Sequence, residues 1–576
     1  MFKLLKYFKK HRLKSLLAPL FKMTEAVIEL FVPLVVARII DEGITAGEEQ
    51  VVYRGCLLLV LLAVLGLAAA LLAQYFASMA AVGFAAQVRE ALFAKVLRLP
   101  AAETGRLGSN RLITLLSGDI ERVQTGVNMA LRLFMRSPVV VFGAVVMAFI
   151  TDNRGSGSTG WIFAAAVPLL TVAVVLVMAK SIRYYKTARE DVEEFTLDLR
   201  ESLTGMRVFR SFGQEDARKD KMRGSNKKSA KSAVRAGAIS ALTGPVTMVI
   251  VNLGVILLLR YGALRVESGL LTTGQLVALF NYMSQILVEL IKLVNLIVTV
   301  AKCLASADRI AEVLEKDGAM ERLENAVSAC EGGLCFRNVG MVYPDGTSAL
   351  SDVSFTLPEG GSLGIIGGTG AGKSTAALLA ARFYDPTSGE ISFDGKDLRS
   401  YDERAYRAMI GMVPQKAELF SGTVRDNLLW GNPGASEEEL TDALKAAQAY
   451  DFVSEKDGGL DAPVEPFGRN FSGGQRQRLT VARALVRKPR LLILDDSASA
   501  LDYATERAMR QAISDLPYRP TLMVISQRAS SVMHLDKILV IDNGRAVSCA
   551  GHETLLRDCP VYREIYESQF GGQSDA

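Results

Sequence analysis

The sequence predicts a multidomain membrane protein, in which an all-α domain of six transmembrane helices precedes an α/β domain with a phosphate-binding loop. Three observations support this prediction. The chain has 576 residues, too many for one hydrophobic core. Residues 55–88, 155–179, 236–259 and 268–288 contain no Asp, Glu, Lys or Arg. The last 240 residues or so have ordinary soluble composition and include a glycine-rich loop between apolar segments.

The domain limits follow from this change in composition. We predict a transmembrane domain over residues 1–310, a linker over 311–331 and the α/β domain over 332–576. Half of all residues are hydrophobic, and the mean hydropathy of +0.23 is high for a soluble protein. A helix needs about 20 residues to cross a hydrocarbon core of about 30 Å, and each charge-free stretch is long enough. A lipid bilayer is therefore an expected partner.

Six spans fit the hydrophobic pattern best. They cover residues 15–40, 55–86, 129–151, 158–180, 237–260 and 272–303. Charged residues interrupt two of them. Lys22, Glu25 and Glu29 form a polar stripe on the first span, and Arg132 and Arg136 lie at the start of the third.

The loops between the spans predict the orientation. Residues 87–128 and 181–235 are long and rich in Lys and Arg, which places them and both termini in the cytoplasm. The short loops 41–50 and 152–160 have almost no basic residues and face outside. We expect a multi-pass protein of a bacterial cytoplasmic membrane.

Polar residues recur along one stripe of the sixth span. Asn281, Gln285, Glu289, Lys292 and Asn295 follow one another at steps of four, four, three and three residues. Charges inside a membrane are costly and usually face a cavity or a partner. The first four residues are therefore candidates for a substrate cavity. Pairing between helices, including a Glu289–Lys292 pair on one helix, explains the stripe equally well.

Charge and cysteine content exclude other classes of protein. The net charge of +5 is modest, and the basic start "MFKLLKYFKKHRLK" lies beside a hydrophobic segment, so a cytoplasmic entry segment is favoured over a nucleic-acid arm. The six cysteines form no CxxC pair and have no His-rich neighbourhood. We expect reduced thiols rather than structural disulfides or zinc.

The strongest motif is "LGIIGGTGAGKSTAALLAARF", which matches G-x-x-x-x-G-K-[ST] between an apolar strand and an apolar helix. Backbone N–H groups of such a loop cradle phosphate oxygens, the lysine reaches the terminal phosphates, and the serine can hold Mg²⁺. The motif predicts ATP and Mg²⁺ as cofactors. The predicted nucleotide contacts are Gly367, Gly368, Thr369, Gly370, Ala371, Gly372, Lys373, Ser374 and Thr375.

Two further stretches complete this chemistry. "LLILDDSASALD", residues 491–502, is an apolar strand that ends in Asp495, a magnesium ligand, and Asp496, in the position of a general base. "FSGGQRQRLTVARAL", residues 471–485, supplies a second anion site at a helix start. One phosphate tail has no need of two such sites in one chain, but a dimer uses both.

In this order, the phosphate loop, the glutamine loop, the SGGQ signature, the acidic strand and the SALD loop resemble the ATP-binding cassette (ABC) transporters. The resemblance covers the whole chain. A membrane domain followed by a cassette is similar to the exporter arrangement. With one of each, the chain resembles a half-transporter that must pair with a second half-transporter subunit.

The resemblance assigns roles residue by residue. It implies that Tyr343 stacks on adenine and that Gln415 contacts magnesium and the attacking water. It implies that residues 200–216, and others near 101–109, carry coupling helices. The residues that would complete the partner's ATP site in trans are Ser472, Gly473, Gly474, Gln475 and Asp502.

Two catalytic positions depart from the family pattern. Asp496 stands where the family has a glutamate base, and Gln527 stands where it has a switch histidine. Asp is one methylene shorter, and Gln can donate a hydrogen bond but carries no charge. Because both changes fall on one nucleotide beside an intact SGGQ, we predict a weakened ATPase site in a heterodimeric exporter.

Other interpretations stay open. A homodimeric exporter that tolerates the Asp base is one, and an exporter-like importer of a siderophore-like substrate is another. A soluble cassette protein acting on ribosomes or DNA is excluded by the six fused spans, and no nucleic-acid partner is expected. The sequence leaves the substrate open among small molecules, lipids and peptides.

Overall fold

The computed structural model describes residues 2–152, 159–316, 323 and 332–570. Most of the predicted linker 311–331 and of the predicted external loop 152–160 therefore lies outside the described residues. The chain divides into two compact units. The helical unit comprises Met1–Lys95 and Asn110–Lys316, and the α/β unit comprises Val96–Ser109 and Asp317–Ala576.

Long helices make up the first 316 residues. They are α1 (Arg12–Arg38), α2 (Glu49–Val96), α3 (Ala101–Leu107), α4 (Ser109–Thr114), α5 (Ile120–Leu133), α6 (Arg136–Thr151), α7 (Gly160–Thr204), α8 (Met206–Ser211), α9 (Glu215–Ala241), α10 (Thr243–Glu267) and α11 (Thr273–Glu315). Phe2–His11 forms a 3₁₀ helix, and Ile39–Thr45 and Leu115–Asp119 form π-helical turns.

The predicted spans fall on helical segments, although 129–151 is divided between α5 and α6 and 237–260 between α9 and α10. Among the described residues, four helical segments are long and apolar enough to cross a membrane by length and composition. They are Glu49–Val96, Ser109–Thr151, Gly160–Thr204 and Glu215–Glu267. The other two predicted spans correspond to α1 and α11, which carry the polar stripes and are for that reason less hydrophobic. A count of six crossings therefore requires that α1 and α11 also cross the membrane.

The helix α2 shows how the helical unit packs. Between residues 69 and 81 its buried residues are all alanines, such as Ala69, Ala73 and Ala77, whereas Leu57 and Leu67 are 71% and 61% exposed. Small side chains let helices approach closely, and outward leucines suit a lipid environment. Hydrophobic residues on the outside of α2 are thus consistent with its predicted span.

A buried ion-pair network joins α1, α6 and α11. Arg136, 5% exposed, donates hydrogen bonds to Glu289 and, at 2.5 Å, to Glu29. Glu289 also accepts from the Ser137 hydroxyl at 3.0 Å and from the Lys292 ammonium at 2.8 Å. Three donors therefore satisfy Glu289. The structure thus contains the pairing between helices that was one of the two explanations of the polar stripe.

The α/β unit contains strands and helices in alternation. The strands are β1 (Leu334–Val342), β2 (Ser348–Leu357), β3 (Ser362–Ile366), β4 (Ser388–Phe393), β5 (Lys396–Asp397), β6 (Ile410–Val413), β7 (Gly422–Thr423), β8 (Pro463–Val464), β9 (Leu491–Asp495), β10 (Thr521–Ile525), β11 (Lys537–Asp542) and β12 (Arg545–Ala550). The helices are α12 (Lys373–Ala380), α13 (Glu403–Met409), α14 (Val424–Leu429), α15 (Glu437–Ala446), α16 (Tyr450–Ser454), α17 (Gly473–Leu485), α18 (Tyr503–Ser514), α19 (Ala529–Val532), α20 (His552–Asp558) and α21 (Pro560–Phe570).

Three sheets organise these strands. The central sheet has the order β12-β11-β3-β10-β9-β6, in which only the edge strand β12 is antiparallel to its neighbour. A second sheet has the order β2-β1-β4-β5, and β7 pairs with β8. Strand β9 is buried at all five positions, as expected for a parallel strand covered on both faces.

The cysteines correct one expectation. Cys56, Cys303, Cys549 and Cys559 carry free thiols, as predicted. Cys335, in β1, is disulfide-bonded, so the expectation that all six cysteines are reduced is wrong.

The Arg136 network gives a first testable prediction. Arg136→Met removes one partner from a buried pair, which typically costs about 3–5 kcal/mol because Glu289 keeps its charge with one donor fewer. We expect the thermal unfolding midpoint in lipid nanodiscs, followed by tryptophan fluorescence, to fall by several degrees. The double variant R136M/E289M should recover part of this loss.

The matched control is Arg189→Met, which breaks the exposed Arg189–Glu193 pair on α7 and should change the midpoint little. If R136M/E289M lost as much as the sum of the two single variants, the two side chains would not be coupled and the network would not hold the helices together.

Candidate functional site

The central sheet brings the predicted nucleotide residues to one edge. Strands β3, β10, β9 and β6 are parallel neighbours, so their carboxyl ends lie together. The phosphate loop follows β3, Gln527 follows β10, Asp496 follows β9 and Gln415 follows β6. In open α/β sheets, ligands bind at this edge.

The loop between β3 and α12 has the backbone that its glycines allow. Gly370 and Gly372 have φ of +79° and +98°, values that side chains with a Cβ rarely adopt. Gly367 packs so tightly that a Cβ would lie 2.0 Å from the Ile541 carbonyl oxygen. Lys373 is 8% exposed and donates to the carbonyls of Gly367 and Gly368 at 2.8 and 2.6 Å. The lysine thus folds over the loop it belongs to.

Ser374 and Asp495 meet beneath this loop. The Ser374 hydroxyl donates to a carboxylate oxygen of Asp495 at 3.0 Å. Burial raises the pKa of Asp495, while the hydrogen bond from Ser374 opposes the shift. Burial likewise lowers the pKa of Lys373, against the attraction of Asp496 and Asp495. Phosphate and a divalent cation would compensate both of these buried charges.

The donor set suits magnesium. Ser374, Asp495 and Gln415 offer only oxygen ligands to a cation, the kind that Mg²⁺ prefers, and Mg²⁺ commonly keeps waters and phosphates in its remaining positions. Within the described residues, no cluster of three or more His, Cys, Asp or Glu side chains forms an all-protein metal site. A site shared with a nucleotide is therefore the kind these residues fit.

Asp496 lies directly beside this pair. It has φ of +47°, and its backbone N–H donates to the Ile525 carbonyl at 2.8 Å. Its carboxylate accepts from the Gln415 amide at 3.2 Å. The structure therefore places the predicted base in contact with the predicted glutamine-loop residue.

Gln527 is exposed in the turn after β10, and its backbone carbonyl accepts from the Gln569 amide at 2.8 Å. No histidine occupies this turn, since His552 bonds to Tyr562, His534 lies just before β11 and His11 belongs to the helical unit. The structure thus places Gln527 in the loop after β10, at the same edge of the sheet as Asp496.

Tyr343 lies next to α12. Its hydroxyl is 3.1 Å from the Thr375 hydroxyl, and its ring meets Tyr384 edge-on with centroids 5.4 Å apart. The half-buried ring follows β1 and leaves part of its surface open for another planar group.

The signature forms a separate site at the start of α17. Ser472 caps this helix in a reciprocal capping box with Gln475, and both Ser472 and Gly473 are exposed. Among the described residues, no hydrogen bond connects residues 472–475 to the phosphate loop of the same chain. The signature and the phosphate loop are thus two separate exposed segments of one unit.

The SALD loop packs against the signature. A Cβ on Gly474 would lie 3.0 Å from the Ala500 carbonyl oxygen. Asp502 caps α18 by accepting from the Thr505 N–H at 2.9 Å and hydroxyl at 2.8 Å, and the backbone hydrogen bond is the main cause of its lowered pKa.

The predicted substrate residues line a cavity in the helical unit. Asn281, Gln285, Glu289 and Lys292 surround a space of about 400 Å³, together with Glu29 of α1. The Gln285 amide oxygen is buried without a hydrogen-bond partner in the described structure. Glu29 and Lys292 have side chains that are each 40% exposed.

Sequence reasoning missed two functional contacts. It noted Arg136 only as a charge at a span end, although Arg136 holds Glu289 and Glu29 from a third helix. It also passed over Arg528, whose guanidinium donates to the Ser499 carbonyl at 3.1 Å and so joins the switch loop to the SALD loop. The adjacency of Arg528 to Gln527 was the available signal.

Sequence comparisons agree with this geometry. The family profile of the ABC transporter transmembrane region matches residues 15–290, and that of the ABC transporter matches residues 350–499. The uncharacterized ABC transporter ATP-binding protein YfiB of Bacillus subtilis is 33% identical over 571 residues, which is 99% of this chain and 98% of that protein. The ATP-dependent lipid A-core flippase of Thiobacillus denitrificans is 30% identical, with the same coverage.

A solved structure agrees in fold. A bacterial Atm1-family ABC exporter with ATP bound matches with a TM-score of 0.78 at 24% identity, over 98% of each chain. Membrane domain and cassette occur in the same order in all of these comparisons with whole proteins. This chain therefore belongs to the ABC transporter family, which couples ATP hydrolysis to transport, and it is a half-transporter that joins a membrane domain to an ATP-binding cassette.

Proposed function

We propose that this chain is one half of a heterodimeric ABC exporter and that its own phosphate loop belongs to the slower of two nucleotide sites. The contact of Asp496 with Gln415, beside Gln527, carries this proposal. A general base must come within about 2.6–3.2 Å of the proton it accepts. The Asp carboxylate is withdrawn by one methylene from the position that a Glu would reach, and the neutral Gln527 adds no positive charge.

The residues of the loop have defined tasks in this scheme. Its backbone N–H groups bind phosphate oxygens, and Lys373 exchanges its two carbonyl acceptors for the terminal phosphates. Ser374 and Asp495 would hold Mg²⁺, which when bound neutralises phosphate charge. Tyr343 offers a ring face to adenine. Asp496 accepts a proton from the attacking water, at a reduced rate.

The second site of the dimer uses the signature of this chain. ABC exporters act as dimers in a lipid bilayer, and the exposed Ser472 and Gly473 are free to face another subunit. We propose that Ser472, Gly473, Gly474, Gln475 and Asp502 complete the ATP site of the partner, where a glutamate base performs most of the hydrolysis. A homodimer would instead place Asp496 in both sites.

The membrane part of the proposal concerns six crossings and cytoplasmic termini. Helices α1 and α11 pack with α6 through the Arg136 network, and they count as spans because their charges are paired. The basic stretches 87–128 and 181–235 support a cytoplasmic location for both long loops. We place the protein in a bacterial cytoplasmic membrane.

The cavity beside α11 is the proposed substrate site. Glu289 is satisfied by three donors, so we assign substrate contact to Asn281, Gln285 and Lys292, and a supporting role to Glu289. The flippase relative acts on lipid A core, and it makes an amphipathic lipid one substrate class to test beside small molecules and peptides. Import of a siderophore-like substrate is the alternative. The direction of transport in vesicles would distinguish it from export.

Restoring the family residues tests the weakened site. In the purified chain alone, D496E/Q527H should raise Mg²⁺-dependent ATPase by at least tenfold, because a positioned base contributes roughly 10²–10⁴-fold to such reactions. The matched control is Asp496→Asn, which should lower an already slow rate only slightly. A rapid native rate that D496E/Q527H leaves unchanged would favour a homodimer with a competent Asp base.

The asymmetry is tested in a complex with a second half-transporter subunit that carries Glu and His at the two positions. Gly473→Asp puts a carboxylate where the phosphates of the ATP bound to the partner are expected. It should lower the ATPase rate of the complex roughly tenfold or more. Asp496→Asn should cost much less. Gly434→Asp, in an exposed loop of the same unit, is the matched control. Equal losses for G473D and D496N would contradict two unequal sites.

The cavity assignment is tested by stimulation of ATPase. Lys292→Gln and Gln285→Leu should alter the stimulation by at least one of three probes, a cationic dye, lipid A and an apolar peptide, while basal ATPase is retained. Lys302→Gln, at an exposed position farther along α11, should leave stimulation as in the native chain. Unchanged stimulation and transport in both cavity variants would assign these residues to structure instead.

A further inference from the structure

Five exposed cations mark the point where α7 and α9 leave their charge-free segments. We name them the basic collar. It consists of Lys180, Arg183 and Lys186 on α7, and Lys231 and Arg235 on α9. Lys180 is the first charge after residues 155–179, and Arg235 is the last before residues 236–259. The collar therefore lies at the boundary of the predicted hydrocarbon core.

The cations of the two helices share one side of the pair. On α7, residues 183, 186, 190 and 194 recur at helical spacing, as do residues 228, 231 and 235 on α9. Lys228 of the second stripe reaches Glu194 of the first at 2.7 Å. This contact joins the two stripes side by side. The collar residues, which lie between this contact and the charge-free segments, therefore form one patch on two adjacent helices.

The patch keeps an excess of positive charge. None of the five collar cations has an ion pair within the described parts of the chain, 2–152, 159–316, 323 and 332–570. Neighbouring carboxylates are already engaged, since Lys228 pairs with Asp191 and Glu194, and Arg189 pairs with Glu193. Glu190 is exposed and free of ion pairs, and it offsets only one of the five positive charges.

Aromatic residues lie among the α7 cations of the collar. Tyr184 and Tyr185 stand between Arg183 and Lys186 and are 37% and 52% exposed. Tyrosine is enriched where a membrane meets water, because its ring is apolar and its hydroxyl is wet. From Lys180 to Lys186 the helix rises about 9 Å, somewhat more than one headgroup layer of roughly 5–8 Å.

We propose that the basic collar binds the headgroups of anionic phospholipids. A cluster of four to eight Lys or Arg directly beside a transmembrane helix is the pattern that recognises anionic lipid in the cytoplasmic leaflet. The inference rests on the cytoplasmic orientation proposed above, and it concerns a surface separate from the ATP site and from the cavity. The partner is a lipid because the α7 cations and the two tyrosines directly follow one charge-free segment and Arg235 directly precedes another.

Lipid titration of the detergent-solubilised protein, read by native mass spectrometry, tests the proposal. The native chain should retain phosphatidylglycerol more tightly than phosphatidylcholine. Two sets of substitutions, K180Q/R183Q/K186Q on α7 and K231Q/R235Q on α9, should each weaken phosphatidylglycerol retention, by roughly fivefold for every cation removed. Phosphatidylcholine retention should stay constant.

The matched control is K219Q/K227Q, which removes two exposed cations of α9 that lie farther from the charge-free segment. It should retain phosphatidylglycerol like the native chain. The proposal would be overturned if the native chain retained the two lipids equally, or if the control and collar variants lost retention equally. Unchanged retention in both collar variants would also overturn it and is the result expected if the patch binds an acidic protein instead.

Two further measurements keep the result interpretable. Gel filtration and binding of ATP should match the native chain in every variant, because all substituted side chains are exposed. Labelling of Lys186→Cys in intact cells and in inverted vesicles reports the side of the membrane. A collar that binds anionic lipid from the external side would contradict the proposed orientation and not the lipid site.

Discussion

Parallel pairing of β3, β10 and β9 is the constraint on which the nucleotide site depends. The register places Ile525 beside both Ile365 and Asp495, so the three strands end at one level. The backbone N–H groups of Ser526 and Asp496 then reach across to Ile365 and Ile525. These bonds fix where each loop departs from the sheet. The phosphate loop and the adjacent pair Asp495 and Asp496 can therefore converge from segments more than 100 residues apart.

The close approach of backbones explains why the glycines of this edge are required. Gly367 has the Ile541 carbonyl at a distance that leaves no room for a Cβ, and Gly372 has the Ala349 carbonyl in the same relation. Strand β11 and the second sheet thus support the loop from below. Buried Lys373 and Asp495 carry opposite pKa shifts, both caused by desolvation. A site that buries unlike charges in this way is prepared for phosphate and a cation together.

In the helical unit, the polar stripe of α11 both pairs buried charges and lines a cavity. Glu289 is 3% exposed and takes three donors, whereas Lys292 and Glu29 are partly open to the cavity. A buried ion pair is held by complete hydrogen bonding, because an unpaired charge in a membrane interior is costly. One helix face can therefore supply both the joint between three helices and a polar cavity wall. The two interpretations of the stripe divide among its residues and do not exclude each other.

The sequence alone determined the order of the domains, the phosphate loop, the acidic strand and the signature, because each depends on local residue types at fixed spacing. Hydropathy also located the four helical segments that are apolar enough to cross a membrane, whereas the polar stripes of α1 and α11 leave those two spans a prediction. Only the tertiary structure decided that Arg136 satisfies Glu289 and that Gln415 meets Asp496, since these contacts join residues 153 and 81 positions apart. Local spacing carries no information on which distant strands and helices become neighbours. Packing decides that, and with it which charges are paired and which stay free.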